Sequence, residues 1–458
     1  MSSSARGAWE LIRRGLLEGG GGLGSPLAVR AGLSALIGYS SYVLRFGVQI
    51  LLARLLGADG FGEYIYVLAW MNLAVLPALL EMDLSAFRFV GQYRGTEDWS
   101  RLRGYLRWSH AVVLGAGCCV AVGGMGVVWA FREDIGLSLV PLFVAAAFLL
   151  TPTTLVRLEE SIVSALERPV EAQVPNYLVR PVLFVLAILL ASYGGFLTAA
   201  NALWLNFLAT VAAVAALYSL KKRATPPQVI SSTPAYDGRL WRTTSAGLLW
   251  VSVANYVLSQ QISVLVVGSY LGTTDGGLYA VASQVASLIA LAGHAIGYVA
   301  LPYISEFHEK GEVSRLESLV QWTILVNLVA GLAAWGGLAV LGHTILGWFG
   351  EEFEAGTTVL MILAAQNLLI GSFLAVGGFV LTLTGHHNRA GVISVSSAII
   401  SLILIVVLTP LFGAAGTAVA GTLGACVKGF LVARAVRSCV GVRIVPTWLQ
   451  IRRKVPGA

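Results

Sequence analysis

The stretch SYVLRFGVQILLARLLG, Ser41–Gly57, reads as a helix for lipid with two arginines set into it. Its apolar residues surround the helix rather than striping one face, the pattern of a membrane span. Similar runs of 18 or more mainly apolar residues recur along the chain, each long enough to cross about 30 Å of hydrocarbon. Of 458 residues, 57% are hydrophobic and only 12% are charged, against about 25% charged in soluble domains. The fold class expected is all-α, a polytopic membrane protein. The 52 glycines suit helices whose backbones pack closely in lipid.

Twelve spans are expected, at roughly 30–56, 61–84, 104–130, 137–158, 174–192, 196–220, 245–270, 276–301, 319–347, 357–384, 390–411 and 413–437. The fourth continues past Leu158 into a cytoplasmic extension. Arginine and lysine crowd alternate loops: Arg88, Arg94, Arg101, Arg103 and Arg107 between spans 2 and 3, and Lys221, Lys222, Arg223, Arg239 and Arg242 between spans 6 and 7. The positive-inside rule then makes both termini cytoplasmic in a multi-pass protein of the cell membrane. The net charge of +7 follows from that topology and calls for no nucleic-acid partner.

The chain is written twice. YVL at 42–44 recurs at 256–258, LGADGFGEY at 56–64 pairs with LGTTDGGLY at 271–279, and SRLRGYLRWS at 100–109 pairs with SRLESLVQWT at 314–323, each about 214 residues on. YGGFLTAA at 193–200 resembles FGAAGTAV at 412–419. Ordered matches argue for duplication of a six-helix unit. Six is even, so the copies enter the membrane in the same orientation and form two pseudo-symmetric lobes around a central cavity. The expected domains are a flexible or interfacial segment at 1–27, a lobe at 28–220, a cytoplasmic linker at 221–242, a second lobe at 243–438 and a basic cytoplasmic tail at 439–458. Trp9, Ile12, Leu16 and Leu17 beside Arg13 and Arg14 suit a helix lying on the membrane surface. The prolines of the linker suggest a mobile strap.

The two arginines now separate. Ser34, Ser41, Tyr42, Arg45 and Gln49 share one side of span 1. The second copy repeats that polar face with Ser252, Asn255, Tyr256, Ser259 and Ser263, flanked by Gln260 and Gln261. Arg54 stands about half a turn away and about 13 Å further along, where it can snorkel to the headgroups. A mid-span arginine costs about 2.5–3.5 kcal/mol on insertion scales, so Arg45 either faces a cavity or pairs with a carboxylate such as Glu81 or Asp83. Arg180 and Lys428 either add positive charge to an inward-facing mouth or anchor their helices. Asn72, Gln284, His294, Asn327, Gln366 and Asn367 are weaker lining candidates. His386 and His387 lack further ligands and the four cysteines lack metal spacing, so neither metal nor cofactor is expected.

ARLLGADGFGEYIYVLAWMNLAVL (53–76), followed by RFVGQYRG (88–95), resembles the N-terminal region of the polysaccharide biosynthesis and export family, the Wzx-type lipid-linked oligosaccharide flippases. These belong to the superfamily that also holds the multidrug and toxin extruders and the lipid II flippases. The resemblance implies a flippase that carries a polyprenyl-pyrophosphate-linked oligosaccharide across the membrane by alternating access, with the bilayer and glycan polymerisation machinery as partners. Where lipid II flippases carry an Arg-Asp pair, this chain has Val48 and Gln49. The intramembrane aspartate of cation-coupled extruders is absent from span 1. Those two functions are the alternatives. An enzyme is not expected, because the outer loops are short and show neither paired carboxylates nor a nucleophile triad.

Overall fold

The computed structural model describes residues 26–444, with the side chains at 26–31, 35, 251, 291–302 and 387 left outside that description. The expected surface helix around Arg13 and Arg14, residues 445–458 of the basic tail and the side chain of His294 lie outside the described residues. Among the described residues every regular element is helical. In chain order the longer ones are α1 (Pro26–Leu79), α2 (Met82–Gly95), α3 (Trp99–Ala130), α4 (Val140–Ala165), α5 (Pro169–Tyr193), α6 (Ala199–Ala224), α7 (Gly238–Val257), α8 (Gln260–Leu271), α9 (Thr273–Glu309), α10 (Val313–Gly347), α11 (Glu351–Leu383) and α12 (His387–Val440).

Two of these helices, α1 and α12, have 54 residues each, enough for two membrane crossings, and glycine breaks both. Gly57 has φ 69° and ψ 176° inside α1, and Gly413 has φ 62° and ψ −151° inside α12. Both conformations are essentially closed to residues with a Cβ, so each glycine turns the chain between two arms. The breaks fall at the expected ends of spans 1 and 11. Among the described residues, eight helices are long and apolar enough to cross a membrane, or nine when α7 and α8 are counted as one broken span. With α1 and α12 each holding two arms these come to eleven, and the 37-residue α9 makes the arrangement compatible with twelve crossings.

The helices pack into two compact units. One runs over 29–256 together with 272–277; the other takes in 257–271 and the described residues from Leu278 onward. In the first, α4 packs against α2, α3 and α6. Its cytoplasm-side end, by the expected topology, is an aromatic knot: Trp241 is fully buried, lies 5.3 Å from Tyr105 and 5.2 Å from Trp108 by ring centroids, and donates its indole N–H to Tyr93 Oη at 2.9 Å. In the second, Phe307, Leu316, Val320 and Ile324 pack with Val376, Val380, Val432 and Val436.

The linker departs from the mobile strap expected of it. Lys221–Arg223 finish α6, and Arg239–Arg242 start α7. Between them the chain is tied along α3. Ala235 N–H donates to the Ser100 carbonyl at 3.0 Å, Ser232 Oγ donates to the Trp99 carbonyl at 3.1 Å, and Arg103 donates to the Ser232 carbonyl. Gly104 lets the Ala235 backbone approach where a Cβ would collide. Gly104→Val is therefore expected to detach 232–238 and expose it to protease, with faster cleavage of the folded protein as the readout. Equal cleavage rates would mean the contact holds nothing in place.

Candidate functional site

Among the described residues, a cavity opens inside each unit. The first occupies about 850 Å³ and is lined by α1, α2, α4, α5 and α6. Three arginines meet there, Arg45, Arg157 and Arg180, with two carboxylates, Asp83 and Glu160. The remaining wall mixes neutral hydrogen-bonding groups, among them Gln49, Asn72, Gln173, Asn176, Tyr177 and Asn206, with apolar residues such as Leu52, Met71 and Phe184.

A local irregularity in α5 aims several of these groups. Pro181 has no N–H to give the Tyr177 carbonyl, so the helix widens into a π turn at Pro175–Val179 in which the Arg180 N–H reaches the Pro175 carbonyl. Asn176 then donates to Glu160 Oε2 at 2.8 Å. The Arg45 guanidinium lies 5.1 Å from the Tyr177 ring centroid, a cation–π contact. Arg180 donates to Asn206 Oδ1 at 3.0 Å, and Asn206 passes the chain on by donating to Tyr64 Oη at 3.1 Å. Gln173 donates to Ser34 Oγ at 2.6 Å, tying α5 to α1. Arg180 is thus held by a neutral amide and Arg45 by an aromatic ring, in a cavity where three guanidinium groups outnumber the two carboxylates.

The expected residues scatter over several environments. Arg45, Gln49, Arg180 and Asp83 come together in the first cavity. Ser41 does not line it; its hydroxyl is buried and donates back to the Gly38 carbonyl at 2.7 Å. Tyr42 is exposed. Neither Glu81 nor Asp83 is the carboxylate beside Arg45. That place belongs to Glu160, while Arg157 is the cation acting on both Glu81 and Asp83. Leu80 and Glu81 are left-handed, and Glu81 bonds to Ser252 rather than lining the cavity. Arg54 is exposed on its helix, on a side apart from the cavity.

The matching stripe of the second copy is cut in two. Helix α7 ends at Val257 and α8 begins at Gln260. Serine and glutamine side chains compete for backbone groups there: Gln261 N–H donates to Ser259 Oγ at 3.3 Å. Above the break, Asn255 is exposed and Tyr256 donates to the Ala69 carbonyl at 2.9 Å, within the first unit. Below it, Ser259 and Gln260 line a second cavity of about 250 Å³ in the second unit, together with Lys428.

Arg157, Glu160, Asn176 and Tyr177 were not legible as lining residues. The usable signal was VRLEES at 156–161, where Arg157 and Glu160 stand three apart on one helical face. Glu159 points the other way. It accepts from Lys221 Nζ at 2.5 Å and lies 2.8 Å from His110 Nε2, buried among α3, α4 and α6.

Residues 29–308 match the family described as polysaccharide biosynthesis protein. A probable low-salt glycan biosynthesis flippase of Haloferax volcanii, Agl15, is 31% identical over 195 residues, covering 42% of this chain and 40% of that protein. A second Haloferax volcanii protein, the probable flippase AglR, is 24% identical over 196 residues with the same shares covered. The chain spans about two fifths of the length of these curated relatives. Among solved structures, an inward-facing multidrug resistance MATE family transporter of the MOP superfamily superposes with a TM-score of 0.66 at 13% identity, covering 91% of this chain and 98% of that one. The lipid II flippase MurJ, inward closed, gives 0.65 at 13% identity over 88% and 87%. Those two likenesses describe the fold alone.

Proposed function

Because this chain belongs to the polysaccharide biosynthesis protein family, we propose that it is a flippase, moving a polyprenyl-pyrophosphate-linked oligosaccharide from the cytoplasmic to the outer leaflet by alternating access. The observation that carries this reading is the meeting of Arg45, Arg157 and Arg180 in one cavity of a membrane-helical unit. A diphosphate is a dense, multiply charged acceptor, and guanidinium groups match its oxygens with paired N–H donors. Gln49, Asn72, Asn176 and Asn206 offer both donors and acceptors to sugar hydroxyls. The polyprenyl tail needs no protein pocket, because the bilayer already solvates it. The head alone must be sheltered, and the cavity is polar enough for that.

In this reading both termini are cytoplasmic, and the six-helix halves, 28–220 and 243–438, rock about the linker. The outer turns of the two sequence copies support such a gate. Thr274 Oγ1 donates to Asp59 Oδ1 at 2.6 Å, and the two residues hold equivalent places in the repeat. Cysteines at both positions, once cross-linked, are expected to stop translocation, and reduction is expected to restore it. Undiminished flipping by the cross-linked protein would remove these turns from the gate.

The drug-extruder alternative suits this cavity less well, since three arginines against two carboxylates repel a cationic drug. Deletion of the gene decides between them. A flippase mutant accumulates lipid-linked glycan facing the cytoplasm; unchanged glycan together with lost drug resistance would transfer the assignment to the extruder.

A further inference from the structure

We propose that the second unit contains an anion site of its own, built by Lys428 and the N-terminus of α8, with room for one carboxylate-bearing sugar. The cavity of about 250 Å³ is lined by Lys428, Gln366, Ser259, Gln260, Ser263 and Ser401, over an apolar floor from α11 and α12. Among the described residues no carboxylate lines it, and the Lys428 ammonium has neither a hydrogen bond nor an ion pair. A half-buried lysine inside a membrane helix without a counter-charge is costly unless a ligand or water supplies one.

A second positive element converges on the same space. Helix α8 is twelve residues long and starts at Gln260, a lining residue, so its first N–H groups and the positive end of its dipole lie at the cavity wall. One of these donors is taken by Ser259 Oγ. Broken membrane helices present such ends to anionic groups. A third, independent observation points to a ligand. The Gln366 side chain is 7% exposed, lines the cavity, and its Oε1 has no hydrogen-bond partner among the described residues. A buried amide oxygen left unpaired is disfavoured, and a ligand hydroxyl would satisfy it. The π turn Ile370–Leu374 in α11 widens the helix at this wall, as the π turn of α5 does at the first cavity.

The chemistry that fits is therefore an anion with hydroxyls. The carboxylate sits between Lys428 and the α8 N-terminus, and hydroxyls meet Gln366, Ser263 and Ser401. The space is smaller than the pockets that take drug-sized ligands, which limits the occupant to about one sugar ring or a small free anion. That the ring belongs to the transported glycan rests on the flippase reading; the anion site does not.

The test is binding of glucuronate, glucose and inorganic phosphate to the purified full chain in nanodiscs, by calorimetry. Glucuronate is expected to bind and glucose not to. Lys428→Met is expected to weaken glucuronate about tenfold or more, and Lys428→Arg to retain it. Gly421→Ala offers a second check, since its Cβ would stand 3.2 Å from both amide atoms of Gln366 and displace them. It should weaken glucuronate while phosphate, which reads only the positive charge, is retained. Thermal melting of each variant separates lost binding from lost folding. Phosphate binding that competes with glucuronate and depends on Lys428 supports the shared anion site; phosphate alone binding would make a free anion the occupant and overturn the sugar assignment. Glucuronate binding that survives Lys428→Met in a folded protein would overturn the site. Retention of anion binding by a variant that no longer flips glycan would leave this site standing while the transport reading is judged separately.

Discussion

Arg45→Ala is expected to abolish glycan export in a deletion strain while the protein reaches the membrane in normal amount. The reason lies in what Arg45 touches. Its guanidinium is exposed to the first cavity and rests on the Tyr177 ring at 5.1 Å. Loss of an exposed cation–π contact costs about 0.5–1 kcal/mol, which a folded bundle tolerates. Loss of a charge-assisted bond to a diphosphate costs about 1.5–3 kcal/mol, a ten- to hundredfold drop in affinity for the head group. Arg45→Lys keeps the charge but not the paired donors, so partial export is expected. Immunoblotting of membranes and surface-glycan staining read the two effects separately. Normal export by the alanine variant would sink the assigned role.

Glu159→Ala should have the largest effect on stability. Its carboxylate is 2% exposed, accepts from Lys221 of α6 and lies 2.8 Å from His110 Nε2 of α3. Removing it leaves the Lys221 ammonium, with its side chain only 12% exposed, facing an imidazole at 2.9 Å with no counter-charge. Breaking a buried pair in this way costs about 3–5 kcal/mol. Thermal melting in detergent is expected to fall markedly, and the double change Glu159→Leu with Lys221→Met to recover much of the loss, because two uncharged side chains leave no uncompensated charge. A single variant that melts like the parent would show the cluster to be solvated.

The distinction between Glu159 and Glu160 shows how far the sequence could be read. Apolar run lengths placed the membrane helices, and helical period placed Arg45 and Gln49 on one face. Both properties are local: they depend on residues within a few turns. The extension of α4 past Leu158 was also legible. That Glu160 would face the cavity beside Arg45, and Glu159 the interface with Lys221, was not, because the rotation of α4 is set by α2, α3 and α6. The π turn of α5 was hidden for a related reason. Pro181 permits it, but neighbouring helices decide whether the freed carbonyl is met by a widened turn or by a kink.

The polar face of the second copy teaches the same point from the other side. NYVLSQQIS at 255–263 matched YVLRFGVQ in residue type, and duplication predicted a matching helix. In three dimensions the chain breaks at Leu258 and Ser259, giving Tyr256 to the first unit and Ser259 and Gln260 to the second. The sequence by itself determined a membrane-helical protein of duplicated halves, with Arg45 on a polar face, because hydropathy and helical period are properties of the chain alone. Tertiary structure alone decided that Arg45 is joined by Arg157 and Arg180, and that Lys428 lines a cavity of the second unit. Those meetings depend on which helix faces turn toward one another, and that orientation is fixed by packing between segments distant in sequence.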